Sequence, residues 1–400
     1  MSRDSPTLLV ENILLDRVWG PAPASLGLPR TNPVWSRRPP HRQGHIGHHG
    51  VMEGTRGAYV IGEIGQNHNG SVDIARLIIE LAARPVLHAV TGDEIGRLDA
   101  VKLTKRDLEQ ELADSHMRMP YTSKHSFGKT YGEHRQKLEL SDEQHFELYK
   151  YAKSLGLDFV ETLCAPGCLS ILRLFRPDKL KVASRDLTNL PLLVALAETR
   201  IPMILSTGMA GPKELDDALR VIYEYHKDVT ILHCVSEYPT KPENVNLRTI
   251  TYLKKSYPQH QIGYSDHTIG ISAPIAAICL GATVIEKHIT LDRNMKGTDQ
   301  LGSLGPEGLQ RMLRDIRMLE LSLGKEEMFI CDSVEGARYK LERSIASRVD
   351  IEEGAEVSIE DVWLLSPGDG FKWCQRDKVL GRIATRRISK NEIIYEHFLK

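Results

Sequence analysis

From Ala58 onward the chain alternates short apolar runs with longer segments of helical period, and this alternation limits its fold more than any other feature. Runs that are apolar along most of their length suit strands buried on both faces, and the helices between them supply the crossovers that parallel strands need. Eight such runs stand in order: YVIGEI, DAVKL, LDFVETL, LKVAS, PMILST, VTILHCV, QIGYSD and TVIEKHI. Eight parallel strands close a TIM barrel, so the expected fold class is α/β, with a TIM (β/α)8 barrel over residues 57–325. The segments between the runs read as helices. DEQHFELYKYAKSLG stops on a glycine, and GPKELDDALRVIYEY opens on Gly211-Pro212.

Two stretches break the rhythm. ARPVLHAVTGDEIGRL, with its insert at residues 84–98, is longer than an ordinary helix-to-strand connection, and reads either as a tolerated surface loop or as a segment that harms packing. Residues 109–140 contain PYTSKHSFGKTYGEHRQKLEL and follow the second run, on the face where barrel chemistry sits; they read as a lid or as a surface excursion. Beyond Gly324 a small module at residues 340–400 carries an internal duplication. ASRVDIEEGAEVSIEDV is echoed by ATRRISKNEIIYEHFL, which predicts a pseudo-symmetric β domain. Residues 1–56, rich in Pro, Arg, Gly and His and including HRQGHIGHHG, read as a flexible extension.

Formal net charge is -1 across 400 residues, so no global field recruits nucleic acid or an anionic membrane. No apolar run approaches the roughly 18 residues of a membrane helix. The six cysteines lack metal-finger spacing and are too sparse for a disulfide framework, which points to a reducing, cytoplasmic setting.

Chemistry-bearing residues cluster at the ends of the runs, where barrel enzymes keep their catalytic groups. They are Glu63, Lys102, Thr162, Lys181, Ser184, Ser206, His233, Ser236, Ser265, His267, Glu286 and His288. SDHTIG and EKHIT each end a run with a carboxylate near a histidine, and both are expected to point into one metal-centred site. His267 and His288, on consecutive strands, suit a divalent transition metal such as Mn, Fe, Co or Zn, with Glu286 and Asp299 around bound water; hydrogen-bonded structural histidines are the plainer alternative. Ser184, Ser206, Ser265, Thr162 and Ser236 with Lys181 suit a phosphate dianion, although serines at helix starts are also ordinary N-caps.

On EIGQNHNG, DAVKL, KTYGEHRQ, MILSTGM, LHCVSEYPT, SDHT, EKHIT and GTDQLGSLGPEG, the chain from about Tyr59 to Lys400 resembles the sialic acid synthases, the N-acetylneuraminate synthase family. Those enzymes condense phosphoenolpyruvate with an N-acetylated hexose such as N-acetylmannosamine, and end in a small β-rich SAF (β-clip, antifreeze-like) domain. The resemblance implies His267 and His288 as ligands of a divalent metal, Mn2+ first, with Mg2+ or Co2+ as alternatives. It implies Lys102, Thr162, Lys181, Ser184, Ser206, Ser236 and Ser265 as the phosphoenolpyruvate cradle. It gives Asp186, Tyr238 and Asp299 to the sugar, and Glu63, Glu286 and Asp299 to catalysis, with Glu63 or Glu286 accepting the proton of the attacking water. A domain-swapped homodimer is the implied partner. Three positions depart from the family pattern: Ser236 replaces an asparagine, Asp186 a glutamate, and Ser366 an arginine that reaches the N-acetyl group, so other acceptors stay open. The competing readings are a Schiff-base aldolase using Lys102 or Lys181, and a carbohydrate-binding protein with an idle barrel.

Overall fold

A computed structural model describes residues 57–88 and 90–400; the expected extension at 1–56, with its histidine-rich tract, lies outside the described residues. Eight parallel strands close the barrel: β1 (Tyr59–Gly65), β4 (Ala100–Lys105), β5 (Asp158–Leu163), β6 (Lys179–Val182), β7 (Met203–Ser206), β8 (Val229–Cys234), β9 (Gln261–Asp266) and β10 (Val284–His288). Each coincides with one of the eight runs read from the sequence. Closure is direct, with Glu63 of β1 level with both Lys102 of β4 and His288 of β10.

Alternation along the strands sorts the side chains. Ile61, Ala100, Val160, Ile204, Leu232 and Val284 fill the barrel interior as a small apolar cluster. Two residues further along each of these strands the same inward direction carries Glu63, Lys102, Thr162, Ser206, Cys234 and Glu286, all of which line a cavity at the C-terminal end. The opposite faces of the strands pack Val60, Val101, Phe159, Leu205, Ile231 and Ile285 against the surrounding helices. Fully burying each such aliphatic or aromatic side chain contributes about 1.5–3 kcal/mol. The barrel is thus closed by hydrocarbon below its polar upper layer.

The described residues of the insert at 84–98 fold. β2 (Val86–Leu87) and β3 (Glu94–Gly96) pair antiparallel and lie on the helix Pro306–Leu323. Val86 and Leu98 are buried, and Arg317 of that helix ties the region down through Asp99 (3.3 Å) and the Ala58 carbonyl (2.9 Å). The segment after β4 forms two single-turn helices, an antiparallel bridge between Pro120 and Thr130, and the helix Tyr131–Leu138, whose start is fixed by a Thr130–Glu133 capping box.

The C-terminal module has its own core of Ile345, Ile351, Val357, Val362, Val379, Ala384, Ile388, Ile394, Phe398 and Leu399. β11 (Ser344–Ser347) pairs antiparallel with β12 (Val362–Leu365), and Ile351 bridges Ile388. The duplicated halves share more than sequence. Gly354 and Asn391 occupy corresponding turns with φ of 84° and 71°, and the short 3-10 turns Ile359–Asp361 and Glu396–Phe398 follow at the same spacing. Glycine and asparagine are the residues that accept this left-handed backbone most readily.

Candidate active site

A cavity of about 540 Å³ opens at the C-terminal end of the barrel, and every residue named from the sequence for catalysis, phosphoenolpyruvate, sugar or metal lines it except Asp186; His233, also named at a strand end, does not. At the floor two buried lysines stand among carboxylates and hydroxyls. Lys102 Nζ lies 2.8 Å from Glu63 Oε2 and 3.9 Å from Glu286 Oε2, and donates to Thr162 Oγ1 at 3.2 Å. Lys181 Nζ donates to Ser206 Oγ (2.6 Å) and the Val182 carbonyl (3.0 Å), and sits 4.0 Å from Glu286 Oε1, which also accepts from Ser265 Oγ at 2.9 Å. Ser184 Oγ accepts from the Gly208 N–H at 3.0 Å, while the buried Ser236 Oγ has no partner among the described residues.

The electrostatics separate the two carboxylates. Burial raises Glu63, and the nearby Glu286 adds to the effect against the pull of Lys102. Burial acts on Glu286 too, but the Lys102 and Lys181 ammoniums outweigh it and hold the group below the usual carboxylate range. One proton is therefore much more at home on Glu63 than on Glu286. Lys181 is pushed below the ordinary lysine range by burial.

His267 and His288 meet on the cavity wall with ring centroids 5.5 Å apart, and Tyr238 packs against His267 at 4.1 Å. The Nδ1–H of His267 donates to the Val235 carbonyl at 2.9 Å, which leaves Nε2 with its lone pair free. Among the described residues His288 Nδ1 is buried without a partner, and burial lowers the ring's affinity for a proton, which favours the neutral form that a ligand needs. Among the described residues no three His, Cys, Asp or Glu side chains gather as a ready metal cluster. The pair fits a metal site that takes two protein nitrogens and fills its other positions with water or substrate.

Three expectations need correcting. Asp186 does not line the cavity: it turns with the 3-10 segment Ser184–Asp186 towards Arg185 (3.4 Å), and Arg185 is the member that reaches the cavity. Asp266, next to His267, faces away from the site, where its carboxylate accepts from Lys287 Nζ (2.6 Å), Tyr264 OH (2.9 Å) and the Thr268 N–H (2.8 Å). His233 also faces outward, bonded to the Val245 carbonyl at 2.7 Å and stacked on Tyr264. Period-two counting predicts the last two reversals, because Ser265 and His267 point inward around Asp266 and Cys234 points inward after His233.

The cavity also gathers Gln66, Thr104, Arg106, His125, Arg135 and Arg185, which the sequence reading did not assign to the site. Thr104 was accessible to the same counting, two residues past Lys102. Arg135 and His125 arrive from the 119–138 segment through tertiary packing alone, and Arg135 donates to Gln66 Oε1 at 2.5 Å. A strap of buried amides fixes Asp299. Asn67 Nδ2 donates to the Ile289 carbonyl (2.9 Å) and Ser303 Oγ (2.8 Å), Ser303 Oγ donates to the Asp299 carbonyl (2.6 Å), and Gln300 Nε2 donates to the Asn67 carbonyl (3.1 Å).

A parallel eight-stranded barrel whose C-terminal mouth combines buried lysines, hydroxyls, carboxylates and a histidine pair is the frame of a barrel enzyme acting on an anionic substrate. Comparison with known proteins defines which. The NeuB family model matches residues 93–328, and the SAF domain model matches residues 342–400. N-acetylneuraminate-9-phosphate synthase of Homo sapiens is 36% identical over 307 residues, spanning 77% of this chain and 82% of that protein. N,N'-diacetyllegionaminic acid synthase of Legionella pneumophila is 32% identical over 345 residues, spanning 85% and 94%. The crystal structure of N-acetylneuraminic acid (sialic acid) synthetase from Leptospira borgpetersenii superposes with a TM-score of 0.59 at 27% identity, over 70% of this chain and 90% of that one. The chain belongs to the NeuB family of sialic acid synthase-type enzymes and carries an SAF domain at its C-terminal end.

Proposed function

We propose that this enzyme condenses phosphoenolpyruvate with an N-acetylated hexose and water, giving a nonulosonic acid and inorganic phosphate. The observation that carries the proposal is the floor of the cavity, where Lys102 and Lys181, 4% and 3% exposed, stand among Thr162, Ser184, Ser206, Ser236 and Ser265 beside the histidine pair. Two desolvated ammoniums with convergent hydroxyls suit a phosphate and carboxylate carried on one small molecule. The partnerless Ser236 hydroxyl supports the same use.

In the proposed reaction C3 of phosphoenolpyruvate forms a bond to the aldehyde carbon of the open-chain sugar, whose oxygen gains a proton. Positive charge then develops at C2, water adds there and loses one proton to give a hydroxyl, and the hydroxyl gives its remaining proton to the departing phosphate as the C2–O bond to phosphate breaks, leaving a ketone and inorganic phosphate. His267 and His288 would hold a divalent transition metal, Mn2+ first, which when bound supplies Lewis acidity at the aldehyde oxygen. Lys102 and Lys181 hold the dianion with C3 turned to the acceptor and offset charge on the departing phosphate. Glu286, already bound to Ser265 and flanked by both lysines, is suited to facing the cationic C2. Glu63 has Lys102 alone as its close cation and is the better acceptor for the proton of water. Asp299, whose backbone carbonyl the amide strap holds, would bind sugar hydroxyls.

Two features support a homodimer as the functional unit. Residues 321–341 are exposed throughout and include Met328, Phe329 and Ile330, an apolar stretch that a second copy would cover. Among the described residues none beyond Asp299 lines the larger cavity, so the C-terminal module of a partner is free to cap it. Ser366 spends its hydroxyl on the Leu341 carbonyl at 3.0 Å and carries no cation for an N-acetyl group. Among the described residues no helix is long and apolar enough to cross a membrane, and the buried free thiols of Cys164, Cys168 and Cys234 suit a cytoplasmic setting.

Phosphate release from phosphoenolpyruvate with Mn2+ tests the reading across N-acetylmannosamine, its 6-phosphate and deoxy-diacetamido hexoses. Release with at least one sugar, abolished by EDTA and by His267→Ala, is expected; silence across the panel from folded, metal-supplied protein contradicts it. One observation favours a second reading: the burial-lowered Lys181 has the property a Schiff-base lysine needs. Borohydride trapping of pyruvate on Lys181, with activity retained in EDTA, would select that aldolase instead.

A further inference from the structure

Gln66 lines the main cavity and has no part in the reaction proposed above. It is the first residue beyond β1, in a turn where the Ile64 and Gln66 carbonyls accept from the N–H groups of Asn67 (2.8 Å) and Asn69 (2.9 Å). The backbone entering this turn runs beside two site groups. Gly65 has a φ of 52°, and a Cβ there would lie 3.0 Å from Glu63 Oε1 and 3.5 Å from His288 Cε1. The turn is also tied to the loop that carries Asp299, because Gln300 Nε2 donates to the Asn67 carbonyl at 3.1 Å. Ser206 of the phosphate cradle, by contrast, ends β7, four strands from β1 in either direction around the barrel. Gln66 thus stands with Glu63, His288 and the Asp299 loop, where the proposed reaction puts the acceptor.

One contact orients its side chain. Arg135 NH1 donates to Gln66 Oε1 at 2.5 Å, and a guanidinium offers hydrogens but no acceptor, so the amide oxygen, not the nitrogen, takes the Arg135 side. Arg135 is itself held: its Nε donates to Tyr131 OH at 2.8 Å, and its guanidinium carbon lies 4.9 Å from the centre of the Tyr131 ring. Among the described residues Gln66 Nε2 is buried without a partner. Native proteins seldom leave a buried amide nitrogen unpaired, and this one belongs to a residue on the cavity wall. A carboxylate such as Asp299 takes the hydrogens of sugar hydroxyls. The hydroxyl oxygens need donors as well, which an amide supplies without adding charge.

We propose that Gln66 is a substrate-binding residue whose amide N–H groups donate to a hydroxyl oxygen of the acceptor sugar, and that Arg135 is a positioning residue which fixes the amide in that orientation. The inference rests on the condensing-enzyme reading above and gives the two residues a part in selecting the acceptor. An acceptor without that hydroxyl leaves the buried amide unpaired, so Gln66 discriminates against a chain deoxygenated at that position.

The test measures kcat and KM for the best acceptor among N-acetylmannosamine, its 6-phosphate and the deoxy-diacetamido hexoses, together with the KM for phosphoenolpyruvate, in the presence of Mn2+. Gln66→Met keeps the length of the side chain without the donor. Gln66→Glu keeps an oxygen for Arg135 and replaces the amide nitrogen by a second oxygen. Both are expected to raise the acceptor's KM about 10-fold or more, while Gln66→Met leaves the KM for phosphoenolpyruvate within about twofold of wild type. A residue that merely anchored Arg135 would be rescued by Gln66→Glu, so a wild-type acceptor KM in that variant overturns the proposal. An unchanged acceptor KM in Gln66→Met, or an equal rise in both KM values, overturns it too. Arg135→Met should raise the acceptor's KM about 3-fold or more by itself and add nothing to Gln66→Met; effects that multiply overturn the positioning role. If the wild type releases phosphate with none of these sugars the condensing reading fails, and calorimetric binding of N-acetylmannosamine then decides Gln66 separately. Binding weakened about 10-fold in both Gln66 variants supports the assignment, and no binding by the wild type, or equal binding by Gln66→Glu, overturns it.

Discussion

Two buried ionic clusters share strands β9 and β10 and differ in almost everything else. On the outer face Lys287 and Asp266 are 1% exposed each, and Asp266 accepts from Lys287, Tyr264 and both donors of Thr268. Lys287 donates to Asp266 and to the Thr268 carbonyl, so the network is closed upon itself. On the inner face Lys102, Lys181, Glu63 and Glu286 are also buried, yet among the described residues Glu286 Oε2, Ser236 Oγ and His288 Nδ1 have no hydrogen-bond partner. A closed network stabilises one structure, whereas an open one keeps polar groups in store for a ligand. Buried lysines and carboxylates are thus saturated on the outer face of β9 and β10 and left open to a ligand inside the barrel.

The largest test of this contrast is Lys287→Met. Removing the ammonium leaves Asp266 charged and buried, and a loss of about 3–5 kcal/mol in unfolding free energy is expected. Chemical denaturation checks it; a loss under about 1 kcal/mol would mean the outer pair matters little to the fold. Lys181→Met should do the reverse. Glu286 keeps Ser265 and Lys102, so stability should stay within about 1 kcal/mol of wild type, while kcat/KM for phosphoenolpyruvate falls about 10²–10³-fold. Equal damage to stability and activity would erase the distinction.

Smaller effects sharpen the boundary between the two regions. Asn67 is a closed group that encloses the open site, and Asn67→Leu strands buried partners at Ile289 and Ser303 at a cost of about 1–3 kcal/mol. Steady-state kinetics should show the acceptor's kcat/KM reduced more than the KM for phosphoenolpyruvate, because the loop that loosens carries Asp299. His68 gives a signal confined to acid pH and absent at neutral pH. Burial lowers its pKa to about 4, below the ordinary histidine value of 6.5. The folded state then binds fewer protons than the unfolded one between those values, so stability is full above pH 6.5 and declines as pH falls towards 4. His68→Gln should reduce the slope of stability against pH in this window by up to about 1.4 kcal/mol per pH unit; an unchanged slope removes His68 from the account.

The barrel was legible because parallel strands buried on both faces are continuous apolar runs, and all eight could be read directly. The polar lining of the cavity was legible because polar residues ending such runs have no structural reason to be there together. What misled was direction. Asp266 and His233 look, in the linear sequence, as well placed as Ser265 and His267, and only the inward or outward phase of each strand separates them. Asp186 was misplaced for another reason: it follows the strand end in a 3-10 turn, where the strand period no longer applies. His125 and Arg135 were hidden because their segment carries no period at all and reaches the site by folding back over the barrel mouth.

The most direct test of the central claim is calorimetric binding of phosphoenolpyruvate to the wild type, Lys102→Met and Lys181→Met, each shown to be folded. The open network predicts tight binding by the wild type and an affinity reduced by about 100-fold or more in each variant, because each loses a buried ammonium facing the dianion. Wild-type affinity retained in both variants would show that the inner lysines, like Lys287, serve the fold alone, and would contradict the account.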